Sequence, residues 1–199
     1  MSKVKKLIRY IVLSSLFPLA SFYMWLLNLY RPTKIAFLVI DRMGHLAVNT
    51  ELFMRRKQLA EVDSSVKIIF IGGRDKNIAN KYLYSLWEKK IGVYSPNFFT
   101  FLFLNSLRLF RSKYIQDLPA NSNEYREFTT TQPSLSIPNL DDKKGREILK
   151  QIGIDLDKDW FVCIFARDST YLDMINPSNN WEYHDYRDMD VNTYINAVE

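Results

Sequence analysis

Residues 34–40 read KIAFLVI and residues 66–71 read VKIIFI. Both are short apolar runs rich in β-branched and aromatic side chains, the pattern of strands covered on both faces. Between them, residues 41–45 (DRMGH) make a short loop and residues 46–60 read as a helix. Gly72 and Gly73 close the second run. Residues 77–90 then read as a helix with Ile78, Tyr82 and Leu86 on one face, and residues 91–94 (IGVY) as a short third strand ended by Ser95 and Pro96. Strand–helix–strand–helix–strand predicts a parallel sheet with right-handed crossovers, an α/β architecture.

Residues 98–111 (FFTFLFLNSLRLFR) read as a helix. Its Phe and Leu suit a core. With Arg108, Arg111 and Lys113 beside them, they also suit an anionic membrane surface. Residues 121–138 are polar and contain Pro133 and Pro138, which marks a loop or linker and a domain boundary. Residues 141–152 form an amphipathic helix ended by Gly153. Residues 160–166 (WFVCIFA) are a further apolar run, expected to be a buried strand with the single Cys163 as an inert thiol inside it. One more helix is expected from Asp190 onward. The expected organisation is a membrane-associated helix in residues 1–33, a Rossmann-like domain in 34–138 and an incomplete second domain in 139–199. That last segment is too short to bury a core of its own, so the expectation is a front portion of a longer protein.

Residues 10–30 contain no charged side chain, and Lys3, Lys5, Lys6 and Arg9 precede them. A helix of that length covers roughly 30 Å, the thickness of a bilayer core. A span with its positive end inside would place the rest of the chain outside the cytoplasm, away from nucleotide substrates. Ser14, Ser15, Pro18, Ser21 and Asn28 also dilute the run, and Tyr23, Trp25 and Tyr30 favour an interface. The expectation is therefore a segment lying in the cytoplasmic face of the inner membrane, with its cations on anionic headgroups. The alternative is a helix packed on its own domain. A net charge of +5 favours anionic partners in general. No Lys/Arg block resembles a nucleic-acid arm, so nucleic acid is not expected.

Three constellations carry possible chemistry. The first joins Asp41, Arg42, Gly44 and His45 at the turn into the first domain helix. A glycine there lets a ligand approach the backbone, and the helix start offers free N–H groups to an anion. Imidazole accepts protons near neutral pH, so His45 could take one from a hydroxyl. Equally, Asp41 and His45 could simply cap the helix. The second is Arg167, Asp168, Ser169 and Tyr171 at the tip of the late apolar run. Ligands of open α/β sheets bind beyond the carboxyl ends of strands, and a guanidinium there suits phosphate. A plain surface ion pair is the alternative. The third spans residues 181–188 (WEYHDYRD), where aromatics alternate with polar groups as a sugar or base site requires, or as a helix-entry loop would. His45 and His184 lack any paired ligand spacing, so no metal site is expected.

Taken together these segments resemble a bacterial glycosyltransferase family associated with surface polysaccharide synthesis. The resemblance rests on Met43-Gly44-His45-Leu46 with Asn49 and Glu51, on residues 161–172, and on Tyr183-His184-Asp185-Tyr186-Arg187 with the Asp190, Tyr194 and Ala197 helix. It is collinear over most of the chain after residue 34. From Arg167 onward the layout is also similar to the H-x-R-x-x-D region of fucosyltransferases, although Phe165 stands at the His position. The resemblance implies a GT-B fold of two Rossmann domains, of which the first and only the start of the second are expected here. It implies transfer of a sugar from a nucleotide sugar to a glycan or lipid-linked acceptor, with no metal or separate cofactor. His45, or else Asp41 or Glu51, would be the base. Arg42, Gly44, Asn49, Arg167, Asp168, Ser169, Tyr171, His184 and Arg187 would bind substrate. The expectation for this chain alone is little transferase activity. The competing expectations are a non-catalytic remnant that binds a glycan or lipid carrier, and an inactive truncated product.

Overall fold

The computed structural model describes residues 3–73, 78–121, 125–164, 170–175, 177–178 and 180–195. The chain divides into two compact units, Met1–Ser136 and Ile137–Glu199.

The first unit is α/β. Helix α1 (Lys3–Tyr30) leads into strand β1 (Thr33–Phe37), followed by α2 (Met43–Gln58), β2 (Lys67–Ile71), α3 (Lys81–Ile91), α4 (Phe98–Leu109) and the short α5 (Arg126–Thr130). Strands β1 and β2 pair in parallel, from Thr33 opposite Lys67 to Phe37 opposite Ile71. Two single-residue parallel bridges widen the sheet, Tyr94 beside Ile71 and Ile115 beside Ile35. Tyr94 donates to the Phe70 carbonyl and accepts from Gly72 N–H, at 2.8 and 2.9 Å. On the other edge, Ile35 donates to the Tyr114 carbonyl and accepts from Gln116 N–H, each at 2.8 Å. The order across the sheet is Ile115, β1, β2, Tyr94.

Strand alternation sends side chains to two faces, and both are covered. Ala36, Leu38, Ile40 and Phe70 pack under α2 and α3, where Leu46, Phe53, Tyr84 and Trp87 complete a cluster. Trp87 Nε1 donates to the Leu46 carbonyl at 3.1 Å and ties α3 to α2. Ile35 and Ile71, with Phe37 and Ile69, pack under α1 and α4 against Ala20, Met24, Leu104, Leu107 and Tyr114. Helix α1 thus gives one stripe to the core. Leu13, Ala20 and Met24 are buried, with Phe17 and Leu27 partly so. Burying that stripe is worth roughly 5–10 kcal/mol as an upper estimate, the size of a whole domain's stability.

The opposite flank of α1 is bare. Leu7, Leu19, Phe22, Leu26 and Leu29 are all exposed. By length and composition α1 is the one described helix able to cross a membrane. Asn28, a polar interruption in the sequence, latches α1 to β1. Its Nδ2 donates to the Met24 and Thr33 carbonyls at 2.8 and 3.1 Å, and its Oδ1 accepts from Thr33 N–H at 3.0 Å.

Several expectations change. The third strand contracts to the Tyr94 bridge, because α3 runs on to Ile91 and Gly92 ends it at φ 67°. Residues 125–134 are not linker. They contain α5 and dock on α2, so the division falls after Ser136. In the turn between α2 and β2, the Ser65 hydroxyl and amide both donate to Asp63 Oδ1 at 2.7 and 2.9 Å, and hold that carboxyl below the usual carboxylate range.

In the second unit, α6 (Asn139–Gln151) and α7 (Thr170–Ile175) are followed by 3₁₀ turns at Glu182–Arg187 and Val191–Tyr194. The expected buried strand is absent. Residues 160–164 have no strand pairing and are exposed, Trp160 by 86% and Val162 by 71%. Among the described residues of this unit no other strand exists to receive the ladder bonds, and an unpaired apolar run gains nothing by extending into a strand. Cys163 is exposed rather than enclosed.

Two outcomes follow. Asn28→Ala lowers unfolding stability by about 1–3 kcal/mol in urea titration, because it strands the Thr33 amide. Cys163 reacts stoichiometrically with a thiol reagent in the native chain, with no added denaturant; slow, denaturant-dependent labelling would restore the buried strand.

Candidate functional site at the carboxyl edge of the sheet

Parallel pairing brings the loops after β1, β2, Tyr94 and Ile115 to one edge. There the chain is closely packed. The Ile40 carbonyl accepts from Ala79 N–H at 2.8 Å, which fastens the approach to α3 against the loop after β1. A β-carbon on Gly72 would collide with Tyr84 Oη, and one on Gly73 with Ile40 Cδ1. Both positions are therefore glycine for space. Tyr84 Oη meets Ser95 Oγ at 3.3 Å on the same edge. This hydroxyl pair has no sequence signal, since Tyr84 sits on an ordinary helical core spacing.

Helix α2 begins beside this packing. Arg42 caps it in an extended conformation, with no side-chain capping bond. The first helical bond runs from Leu46 N–H to the Arg42 carbonyl at 2.9 Å. The amides of Met43, Gly44 and His45 consequently have no partner within the helix. Gly44 differs from Gly72 and Gly73, because nothing lies within 4 Å of where its β-carbon would sit. Neither space nor a positive φ calls for glycine there. What its bare backbone offers is an open first turn of N–H donors, the arrangement that receives anions.

His45 is half-buried, and its Nδ1 lies 3.4 Å from Oδ1 of the buried Asn49, one helical turn on. In the tautomer whose Nδ1–H donates to Asn49, Nε2 keeps the lone pair that a general base needs. Asp41 is exposed in the preceding loop and Arg42 is half-buried. The structure thus gathers Asp41, Arg42, Gly44, His45 and Asn49 at one helix start.

Glu51 goes elsewhere. Its Oε1 accepts from Arg55 Nε at 2.5 Å and from Ser134 N–H at 2.9 Å. Arg55 is buried, and its Nη1 also donates to the Glu127 and Thr131 carbonyls at 3.3 and 3.1 Å. Arg56 Nε donates to the buried Glu127 carboxylate at 2.7 Å. These carboxylates clamp residues 125–134 onto α2. Nothing along the sequence pairs Arg55 and Arg56 with Glu127, more than seventy residues further on.

Arg167, Asp168 and Ser169 lie outside the described residues. Tyr171 falls in α7, and His184 and Arg187 in the first 3₁₀ turn, with side chains outside the described set. Among the described residues no group of three or more His, Cys, Asp or Glu could hold a metal. No family model, curated protein or solved structure matches the chain.

Gly72 and Gly44 separate by experiment. Gly72→Ala destabilises by about 1–3 kcal/mol through overpacking. Gly44→Ala is neutral or stabilises by up to about 1 kcal/mol. Thermal unfolding of both variants reads the difference; equal losses would remove the distinction.

Proposed function

We propose that the chain serves sugar transfer from a nucleotide sugar to a glycan or lipid-linked acceptor in cell-surface polysaccharide synthesis, at the cytoplasmic face of the inner membrane. The observation that carries this reading is the parallel order Ile115, β1, β2, Tyr94. It is the order of one half of a doubly wound nucleotide fold, in which winding reverses beside the first strand and ligands bind at that reversal. The open first turn of α2, with Gly44 and His45, follows β1 directly. A Rossmann-like first domain of GT-B type is the finer form of the reading, and the sequence resemblance supports it.

In the proposed step, the acceptor hydroxyl gives its proton to His45 Nε2 while its oxygen bonds to the anomeric carbon. The bond from that carbon to the diphosphate oxygen breaks, and the nucleoside diphosphate leaves with the electron pair. Asn49 orients the imidazole. Asp41 stands next to it as the other candidate base, while Glu51 is committed to Arg55 and Ser134. The first-turn amides and Arg42 meet negative charge. The roles of Arg167, Asp168, Ser169, Tyr171, His184 and Arg187 in donor binding rest on the resemblance alone. The donor carries its own leaving group, so no separate cofactor enters. The exposed flank of α1 supports membrane association, where lipid-linked acceptors reside.

Isothermal titration against a panel of nucleotide sugars, paired with transfer assays on membrane acceptors, tests the reading. Binding of at least one nucleotide sugar is expected. His45→Gln should leave that affinity unchanged and lower transfer by about 10²–10⁴-fold. Binding of a glycan or lipid carrier with no binding of any nucleotide sugar favours the carrier-binding alternative, and binding of neither removes both.

A further inference from the structure

The helical sequence of α1 divides it sharply by direction. At about 100° per residue, Leu13, Phe17, Ala20, Met24 and Leu27 share the face laid on the sheet. Val4, Ile8, Ile11, Phe22, Leu26 and Leu29 share the opposite face, and all are exposed. Lys6 and Arg9 fall on the same side as the buried row, one to two turns before it begins at Leu13. They therefore do not lie on the apolar flank. They face the place where α1 overhangs the domain.

A cavity of about 460 Å³ opens there, between the first turns of α1 and the last turn of α4. Lys6, Arg9 and Arg108 line it, against an apolar wall that includes Tyr10, Leu13 and Leu109. Among the described residues none of the three cations is in an ion pair. The Arg108 guanidinium sits over the Phe37 ring at 5.2 Å, which holds it at the cavity without neutralising it. The surrounding sequence is of one sign. Residues 1–34 and 92–116, which supply α1, α4 and their flanks, carry nine Lys and Arg and no Asp or Glu.

We infer that this cavity holds the phosphate of an anionic phospholipid while the apolar flank of α1 lies in the bilayer interface. This deepens the membrane association proposed above and rests on it. The geometry is that of an interfacial helix. A row of exposed apolar side chains enters the acyl boundary, and cations behind it take the headgroups. The row that α1 keeps on the sheet holds the helix parallel to its own domain. Three cations around one apolar-walled cavity add a local anion site to the diffuse attraction of a basic surface. The cavity size is that of a small-ligand pocket. The committed occupant is a headgroup phosphate in a membrane. Free inorganic phosphate shares the chemistry but brings no acyl chain for the flank.

Co-sedimentation of the full chain with vesicles tests this, using phosphatidylcholine alone and phosphatidylcholine mixed with phosphatidylglycerol. The mixed vesicles should bind more tightly. Lys6→Gln and Arg9→Gln lie in the overhang, clear of the core, and each should cost about fivefold on mixed vesicles with little change on neutral ones. Arg108→Gln should do the same, with circular dichroism to verify folding. Lys34→Gln and Lys113→Gln, cations remote from the cavity lining, should cost less. Inorganic phosphate should compete no better than chloride of equal ionic strength. Equal binding to both vesicle types, or equal losses for cavity and remote cations, overturns the phosphate site and leaves membrane association standing. Specific competition by inorganic phosphate overturns the lipid as its source. Binding to neither vesicle overturns membrane association itself.

Discussion

A parallel sheet has two apolar faces, and the fold depends on both being covered. In this chain the second cover is α1. Helices α2 and α3 shield Ala36 and Phe70, but Ile35 and Ile71 are shielded only because α1 and α4 lie across them. The N-terminal helix is consequently part of the domain's core as well as its most apolar outer surface. Withdrawing it into a bilayer as a span would uncover the sheet. Leaving it in place puts Leu19, Phe22, Leu26 and Leu29 in water unless something apolar receives them. A helix lying in an interface resolves that conflict, because one stripe stays on the sheet while the other meets lipid.

The parallel α/β core was legible because its signals are local. KIAFLVI and VKIIFI are too short and too β-branched for helices, and each is closed by polar or glycine punctuation. The helices between them show their spacing. The outer strand positions were harder. Tyr94 and Ile115 pair through one residue each, and a one-residue bridge leaves no periodicity to read. The run at residues 160–164 failed for the opposite reason. Its composition is that of a strand, but strand formation is a property of pairs, and composition does not report whether a partner is present. The clamp of Arg55, Arg56 and Glu127 was equally invisible, since partners more than seventy residues apart in sequence leave no pattern along it.

At the candidate site, residue type was legible and residue use was not. Gly44, Gly72 and Gly73 look alike in sequence. Two of them are demanded by neighbouring atoms, while Gly44 has open space beside it. Asp41, His45 and Glu51 likewise appear as interchangeable bases. Six residues along a helix turn the chain about 120° around its axis, so Glu51 cannot share the His45 face. It binds Arg55 and Ser134 instead. A single turn, from His45 to Asn49, keeps those two side chains together.

The two proposed activities meet at the end of β1. Phe37 is its last residue, and the ring of Phe37 lies under Arg108 on the face covered by α1 and α4. The loop that follows carries Asp41 and Arg42 into α2 on the other face. A headgroup at Arg108 and a hydroxyl at His45 would thus be served by the same strand end, one from each side of the sheet. For a soluble acceptor that proximity has no use. For an acceptor tethered to lipid it would set the reach, because under these proposals the helix that meets the membrane is also one that covers the sheet.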